Sequence, residues 1–220
     1  MVLIHISPPW FFGYDIVFEL IFAVVALALA LFALRVSHLT SQRSAGLFGK
    51  GFLLISISYF FQSIFNFFML AQIGDHLYTP FDAAMLPIIQ QIGAYGHVLF
   101  MLTGLVVLLY TSFEIKNKRL FLAFLALAIV PLFIIDDLFG LFYVVSTVCL
   151  LFVAWYYVAN YLKKKQSLNL VTALAFLLLL IGHAQYFLSI NNPPLYVIGH
   201  AIELFGYLLI LVNFYLVLRR

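Results

Sequence analysis

Long apolar runs, separated by short polar breaks, organise this chain from end to end. A helix that crosses a hydrocarbon core roughly 30 Å thick needs about 17–25 predominantly apolar residues. Seven runs meet or approach that length: 16–36, 50–73, 87–111, 119–135, 138–160, 169–190 and 195–218. They are continuous rather than alternating, so they read as helices and not as barrel strands of about ten residues each. In lipid only helices and closed barrels satisfy every backbone donor and acceptor internally. The expectation is therefore an all-α integral membrane protein, a seven-transmembrane-helix bundle. The fourth run is the shortest and carries Pro131.

Composition agrees. Of 220 residues, 66% are hydrophobic and 9% charged, where a soluble domain carries about 25% charged residues. One membrane domain over 1–220 is expected, with no linker, low-complexity tail or soluble domain. The opening MVLIHISPPW lacks a basic stretch followed by an apolar core and a small-residue cleavage site, so no cleaved signal peptide is expected. The single cysteine, Cys149, lies within an apolar run and has no partner for a disulfide or a CxxC pair.

Charge sets the orientation. All eleven lysines and arginines fall in or flank alternate breaks: Arg35, Arg43 and Lys50; Lys116, Lys118 and Arg119; Lys163 to Lys165; and Arg219 with Arg220. The other breaks carry Asp75, Asp82, Asp136, Asp137 and the Asn191–Pro194 turn. Basic loops stay cytoplasmic, which predicts the amino terminus outside, the carboxyl terminus inside, and residence in a prokaryotic cell membrane. The net charge of +3 is then an orientation signal, with the lipid bilayer as partner and no nucleic acid. Trp10 and Tyr14 suit the outer interface, and Trp155 to Tyr157 the inner one. Gly96-His97 with Gly104 in run three parallels Gly199-His200 with Gly206 in run seven. A parallel three-plus-one-plus-three repeat would explain the correspondence.

Polar side chains within the runs carry the candidate chemistry, since ionisable groups at membrane depth are costly and usually functional. Run seven has His200, Glu203 and Tyr207 on one face; run six has His183 and Tyr186. Run three has Gln90 and His97 along a stripe with Gly93, Met101 and Gly104. Run two has Tyr59, Gln62 and Asn66, and run one has Asp15 and Glu19. At 1.5 Å per residue, His200, His183, Glu203 and His97 fall about 8–15 Å below the outer ends of their helices. These groups from five helices gather in the outer half, and the inner half is nearly free of ionisable residues. That segregation predicts a polar pocket toward the outside.

Three readings of the pocket follow. His97, His183 and His200 with Glu203 are suitable ligands for a metal ion, zinc above all. The metal would activate a water for hydrolysis, with Glu203 as fourth ligand, orienting group or catalytic base. The spacing matches no recognised zinc motif. Alternatively, two histidines, with His97 and His200 as the repeat-related pair, would hold haem b among the chain's 25 Phe and 13 Tyr for a redox role. Glycine before each histidine would admit the porphyrin, or would simply let helices pack closely. In the third reading the same residues serve a small solute transporter or a sensor without any cofactor. A small-molecule or lipid substrate is expected in either case, and a sensor, having only short cytoplasmic loops, would act through a membrane-protein partner. His5, His38 and His76 read as solvated loop residues, and Asp136 and Asp137 as a wet outer turn. The chain has no lysine in run seven for a retinal Schiff base, no GxSxG, no Walker loop and no dinucleotide-binding glycine pattern.

Overall fold

The computed structural model describes residues 8, 10–11, 13–74, 80–115, 117–135 and 137–218, without the side chains of 72–74, 80–87 and 218. His5, Asp75, His76, Lys116, Asp136, Arg219 and Arg220 lie outside the described residues, as does the side chain of Asp82. The described residues form seven α-helices: α1 (Tyr14–Thr40), α2 (Arg43–Gly74), α3 (Pro80–Ser112), α4 (Lys118–Ile129), α5 (Leu138–Lys164), α6 (Ser167–Ser189) and α7 (Pro194–Leu218). No strand occurs among the described residues.

Local chemistry sets several of the ends. Asp15 Oδ1 accepts from the backbone N–H of Gly13 at 2.8 Å and of Ile16 at 2.9 Å, which satisfies donors at the start of α1. Asn117 caps α4 through Arg119 N–H, and Asp137 caps α5 through Gly140 N–H, both at 2.9 Å. Ser41 and Lys165 close α1 and α5 in the left-handed conformation, with φ of 54° and 48°.

Six helices, all but α4, are long and apolar enough to cross a membrane. This makes the protein an all-helical chain of membrane type. The expected fourth span, 119–135, is an α-helix of 12 residues followed by a 3-10 turn at Val130–Phe133. Pro131 has no N–H to donate to the fourth carbonyl before it, and the helix tightens where that bond is lost. Alone, α4 rises about 18 Å, well short of the core.

The distribution of side chains is that of a protein whose solvent is lipid. Large apolar residues such as Leu31, Phe67, Val148, Leu151 and Phe205 face outward, while Asp15, Ser58, Ser146 and Glu203 are wholly enclosed. Cys149 is buried and unpaired. Trp10 and Trp155 are exposed.

Consecutive helices pack as neighbours: α1 on α2, α2 on α3, α5 on α6 and α6 on α7. The two triplets meet where α3 touches α5 and α1 touches α7, which closes a ring. Among the helices, α4 packs against α3 outside that ring, with Leu122, Leu127 and Phe133 of its segment turned outward. The starts of α2 and α6 and the ends of α3, α5 and α7 share one cavity, through Ser44, Asn169, Ser112, Asn160 and Asn213. Hence α3 and α5 run in the same direction, and the segment containing α4 carries the chain back along the bundle. The described basic residues cluster at this shared end.

Small residues bring the helix pairs together. A Cβ on Gly104 would lie 2.8 Å from the carbonyl oxygen of Gly51, joining α3 to α2. The matching contact between α7 and α6 puts Gly206 3.1 Å from the Ala175 carbonyl oxygen by the same measure. Gly182 and Gly199 meet reciprocally, and Gly96 makes room for the ring of Phe61. The glycines before the three histidines therefore serve helix packing.

Candidate functional site

Glu203 is the centre of the buried polar network. Its position on α7 is one turn below His200 and wholly enclosed. The Tyr59 hydroxyl, from α2, donates to Oε1. The Tyr186 hydroxyl, from α6, donates to Oε2 at 2.5 Å. His183, also on α6, brings Nδ1 to 3.6 Å from Oε1, too far for a hydrogen bond. That nitrogen is buried and has no hydrogen-bond partner among the described residues. Among the described residues no lysine or arginine joins the cluster, and both carboxylate oxygens accept from phenols. The Tyr59 bond is the one that crosses from the first helix triplet to the second.

The other two histidines are fixed by their Nδ1 atoms. Ser58 Oγ donates to the His97 carbonyl at 2.7 Å, which uses its only proton. The 2.9 Å contact between Ser58 Oγ and His97 Nδ1 is then donated by the ring, and Nε2 of the neutral imidazole is left as an acceptor. His200 Nδ1 lies 3.0 Å from the Tyr196 carbonyl. A carbonyl only accepts, so this ring also keeps its proton on Nδ1 and leaves Nε2 bare. Aromatic rings enclose His200: Phe22 stacks on it at 5.7 Å, and Tyr186 and Tyr196 lie at 5.0 and 4.4 Å.

A cavity of about 40 Å³ lies beside this network. His97, His183, His200, Glu19, Tyr59, Gln62 and Tyr186 all line it. Sequence reasoning thus identified seven side chains that the fold brings to one space. Glu203 and Tyr207 border the apolar layer beneath it, among Phe52, Leu108 and Phe176. Asn66 turns away toward α1, where its Nδ2 donates to both Glu19 oxygens at 3.0 and 3.1 Å. Gln90 is half-buried and is not among the lining residues. Tyr143 and Tyr196 line the cavity and were not anticipated. In a chain with 13 tyrosines, nothing in their spacing singles these two out.

The cavity has room for a water molecule or one small ion. Among the described residues, no three His, Cys, Asp or Glu side chains lie close enough together to hold a metal ion jointly. The imidazoles come from three helices, with Tyr59 and Tyr186 as their ring neighbours.

A second, larger space opens at the end of the bundle that bears the basic residues. Its volume is about 310 Å³. Asn160, Asn169, Thr172 and Asn213 line it, with aromatic faces from Phe48, Tyr157 and Phe214 and with Glu114 and Lys164 at the exposed rim. The sequence offered a signal in Asn213, an amide inside an apolar run and away from the outer half where the other polar groups gather. Between the two spaces, Phe52, Ile55, Leu105, Leu108, Leu150 and Phe176 leave a gap of only about 10 Å³. Comparison with protein-family models, with curated proteins and with solved structures finds no match to this chain.

Proposed function

We propose that the protein is a small seven-pass membrane carrier, amino terminus outside and carboxyl terminus inside, in which two three-helix halves expose the Glu203 site alternately to the two faces. One observation carries the reading: Glu203 lies between a polar cavity and a polar vestibule, separated from the vestibule by a single apolar layer. Two halves rocking about such a layer are the general plan of small carriers. The packing of α1–α3 and α5–α7 as like triplets, with α4 outside, supports a parallel repeat. Confinement of the described basic residues to the vestibule end supports a cytoplasmic vestibule.

The chemistry of Glu203 supplies a switch. An ionised carboxylate accepts from both tyrosines. Once Oε1 takes a proton it becomes a donor and a weaker acceptor, so the Tyr59 bond weakens or reverses. Because Tyr59 belongs to the other half, protonation loosens the tether between the halves. His183 Nδ1, at 3.6 Å and without a hydrogen-bond partner among the described residues, is the nearest imidazole that can pass that proton. In proteoliposomes loaded with a pH dye, a panel of small uncharged and zwitterionic solutes under an imposed proton gradient should drive proton entry with at least one member. Glu203→Gln should abolish that entry while the protein still purifies as a folded species. Equal entry in the two proteins would refute the coupling.

A second reading is favoured by the histidine geometry. His97 and His200 hold Nδ1 against protein acceptors and keep Nε2 free, as metal-bound imidazoles commonly do. Zinc held by two of His97, His183 and His200, with Glu203 nearby as base, would then act on a substrate from the outer side. Haem b between His97 and His200 would require the halves to part, because about 40 Å³ is far less than a porphyrin occupies. Elemental analysis and an absorption spectrum of protein purified without chelator separate these readings from the carrier, which is colourless and metal-free.

A further inference from the structure

The vestibule is more than an aqueous entrance. Three amide side chains, Asn160, Asn169 and Asn213, converge on it from α5, α6 and α7. Asn213 Nδ2 donates to Thr172 Oγ1 at 2.8 Å, and that hydroxyl donates in turn to the Leu168 carbonyl at 3.0 Å. Asn213 Oδ1 is buried and has no partner among the described residues. Exchanging the amide oxygen and nitrogen would merely orphan the other atom. Buried amides are normally satisfied on both sides, so Asn213 is an incompletely satisfied polar group in the wall of the vestibule. Along α7 it lies about 15 Å beyond Glu203, on the far side of the apolar layer.

The lining also limits what could be held there. Glu114 and Lys164 stand at the exposed rim, and among the described residues no ionisable side chain other than tyrosine lines the deep part. A ligand bearing a full charge would be desolvated at the base with no counter-charge. Amides and hydroxyls that can donate or accept, set against the faces of Phe48, Phe214 and Tyr157, suit a ligand with hydroxyls on its edges and C–H groups on its faces. A volume of about 310 Å³ is at the small end of ligand pockets. Resting on the carrier reading, we infer that the vestibule is the site where solute first binds before passing to the Glu203 layer, and that it takes a small uncharged, hydroxyl-rich molecule of the polyol class from the end bearing the basic residues.

The inference is tested with the full chain in detergent, using mannitol and erythritol as probes and glycine and succinate as charged controls. Binding is read by saturation-transfer NMR, which detects millimolar affinities. Mannitol or erythritol should show saturable transfer, and the charged controls should not. The pair Asn213→Leu with Thr172→Val removes both ends of one hydrogen bond and leaves no orphan. It should weaken binding at least tenfold, and Asn160→Leu should do so independently, so the outcome does not depend on the first variant folding well. Glu203→Gln should still bind the polyol while losing solute-driven proton entry. Retained polyol binding with undiminished proton entry in Glu203→Gln would refute the coupling and leave the site intact. No polyol binding, binding untouched by the vestibule changes, or stronger binding of glycine or succinate would overturn the site.

Discussion

Glu19 and Asn66 show how single residues are tied down in this bundle. Glu19 on α1 is almost wholly buried, and Asn66 on α2 donates to both of its oxygens. Removing the amide alone leaves a carboxylate in the membrane interior without that donor, and orphaning a buried polar group costs about 1–3 kcal/mol, more when it is charged. Asn66→Leu should therefore lower the melting temperature measured in detergent, and adding Glu19→Leu should recover most of the loss. A double variant as unstable as the sum of its parts would mean that the pair does not interact. At this scale the sequence was informative about residue type. Glu19, Tyr59, His97, His183, Tyr186, His200 and Glu203 were all legible as polar groups at odds with their surroundings. Their pairing was not. Whether Asn66 faces the cavity or Glu19 depends on a rotation of α2 that one turn of helix can reverse, and no spacing rule fixes it.

Among the elements, the glycine contacts decide how close the helices come. An alanine at Gly104 would press its methyl to 2.8 Å from the Gly51 carbonyl oxygen and from the Ile55 side chain, with the Ile55 amide nitrogen at 3.2 Å. An alanine at Gly96 would meet the Phe61 ring at 2.4 Å, but that ring is only half-buried and can turn. Backbone cannot give way as a side chain does, and overpacking a tight contact costs about 1–3 kcal/mol. Gly104→Ala should therefore lower the melting temperature more than Gly96→Ala, despite its longer nominal contact. The reverse order would place the critical approach of α2 to α3 at the histidine end. Element boundaries were largely legible, because apolar length and capping residues such as Asn117 and Asp137 act locally. The break in α4 at Pro131 was visible as a weakness. The vestibule was not visible, since Thr172 and Asn213 lie 41 residues apart and only the packing of α6 on α7 brings them together.

For the molecule as a whole, the path of α4 decides the topology. The 16 residues from Lys118 to Phe133 rise about 18 Å as α-helix and about 8 Å more as 3-10 helix. That falls slightly short of a core of roughly 30 Å, and Ile134 and Ile135, both exposed, extend the apolar segment. Because α3 and α5 end at the same vestibule, this stretch must return the chain across the bundle, and its outward-facing leucines and phenylalanines suit lipid. A crossing at α4 puts both triplets in one orientation and the two termini on opposite sides. A surface-lying α4 would invert the second triplet and expose Lys163 to Lys165 to the outside, against the rule for basic loops. Single cysteines at exposed Ser41, Gln166 and Asn192, in a Cys149→Ala background, discriminate the two. With an impermeant maleimide added to intact cells, the crossing topology labels Asn192→Cys and spares both Ser41→Cys and Gln166→Cys. Labelling at Gln166 with protection at Ser41 would mean that α4 lies on the membrane. The like-oriented halves would then be lost, and with them the alternating exposure of Glu203 that a carrier needs.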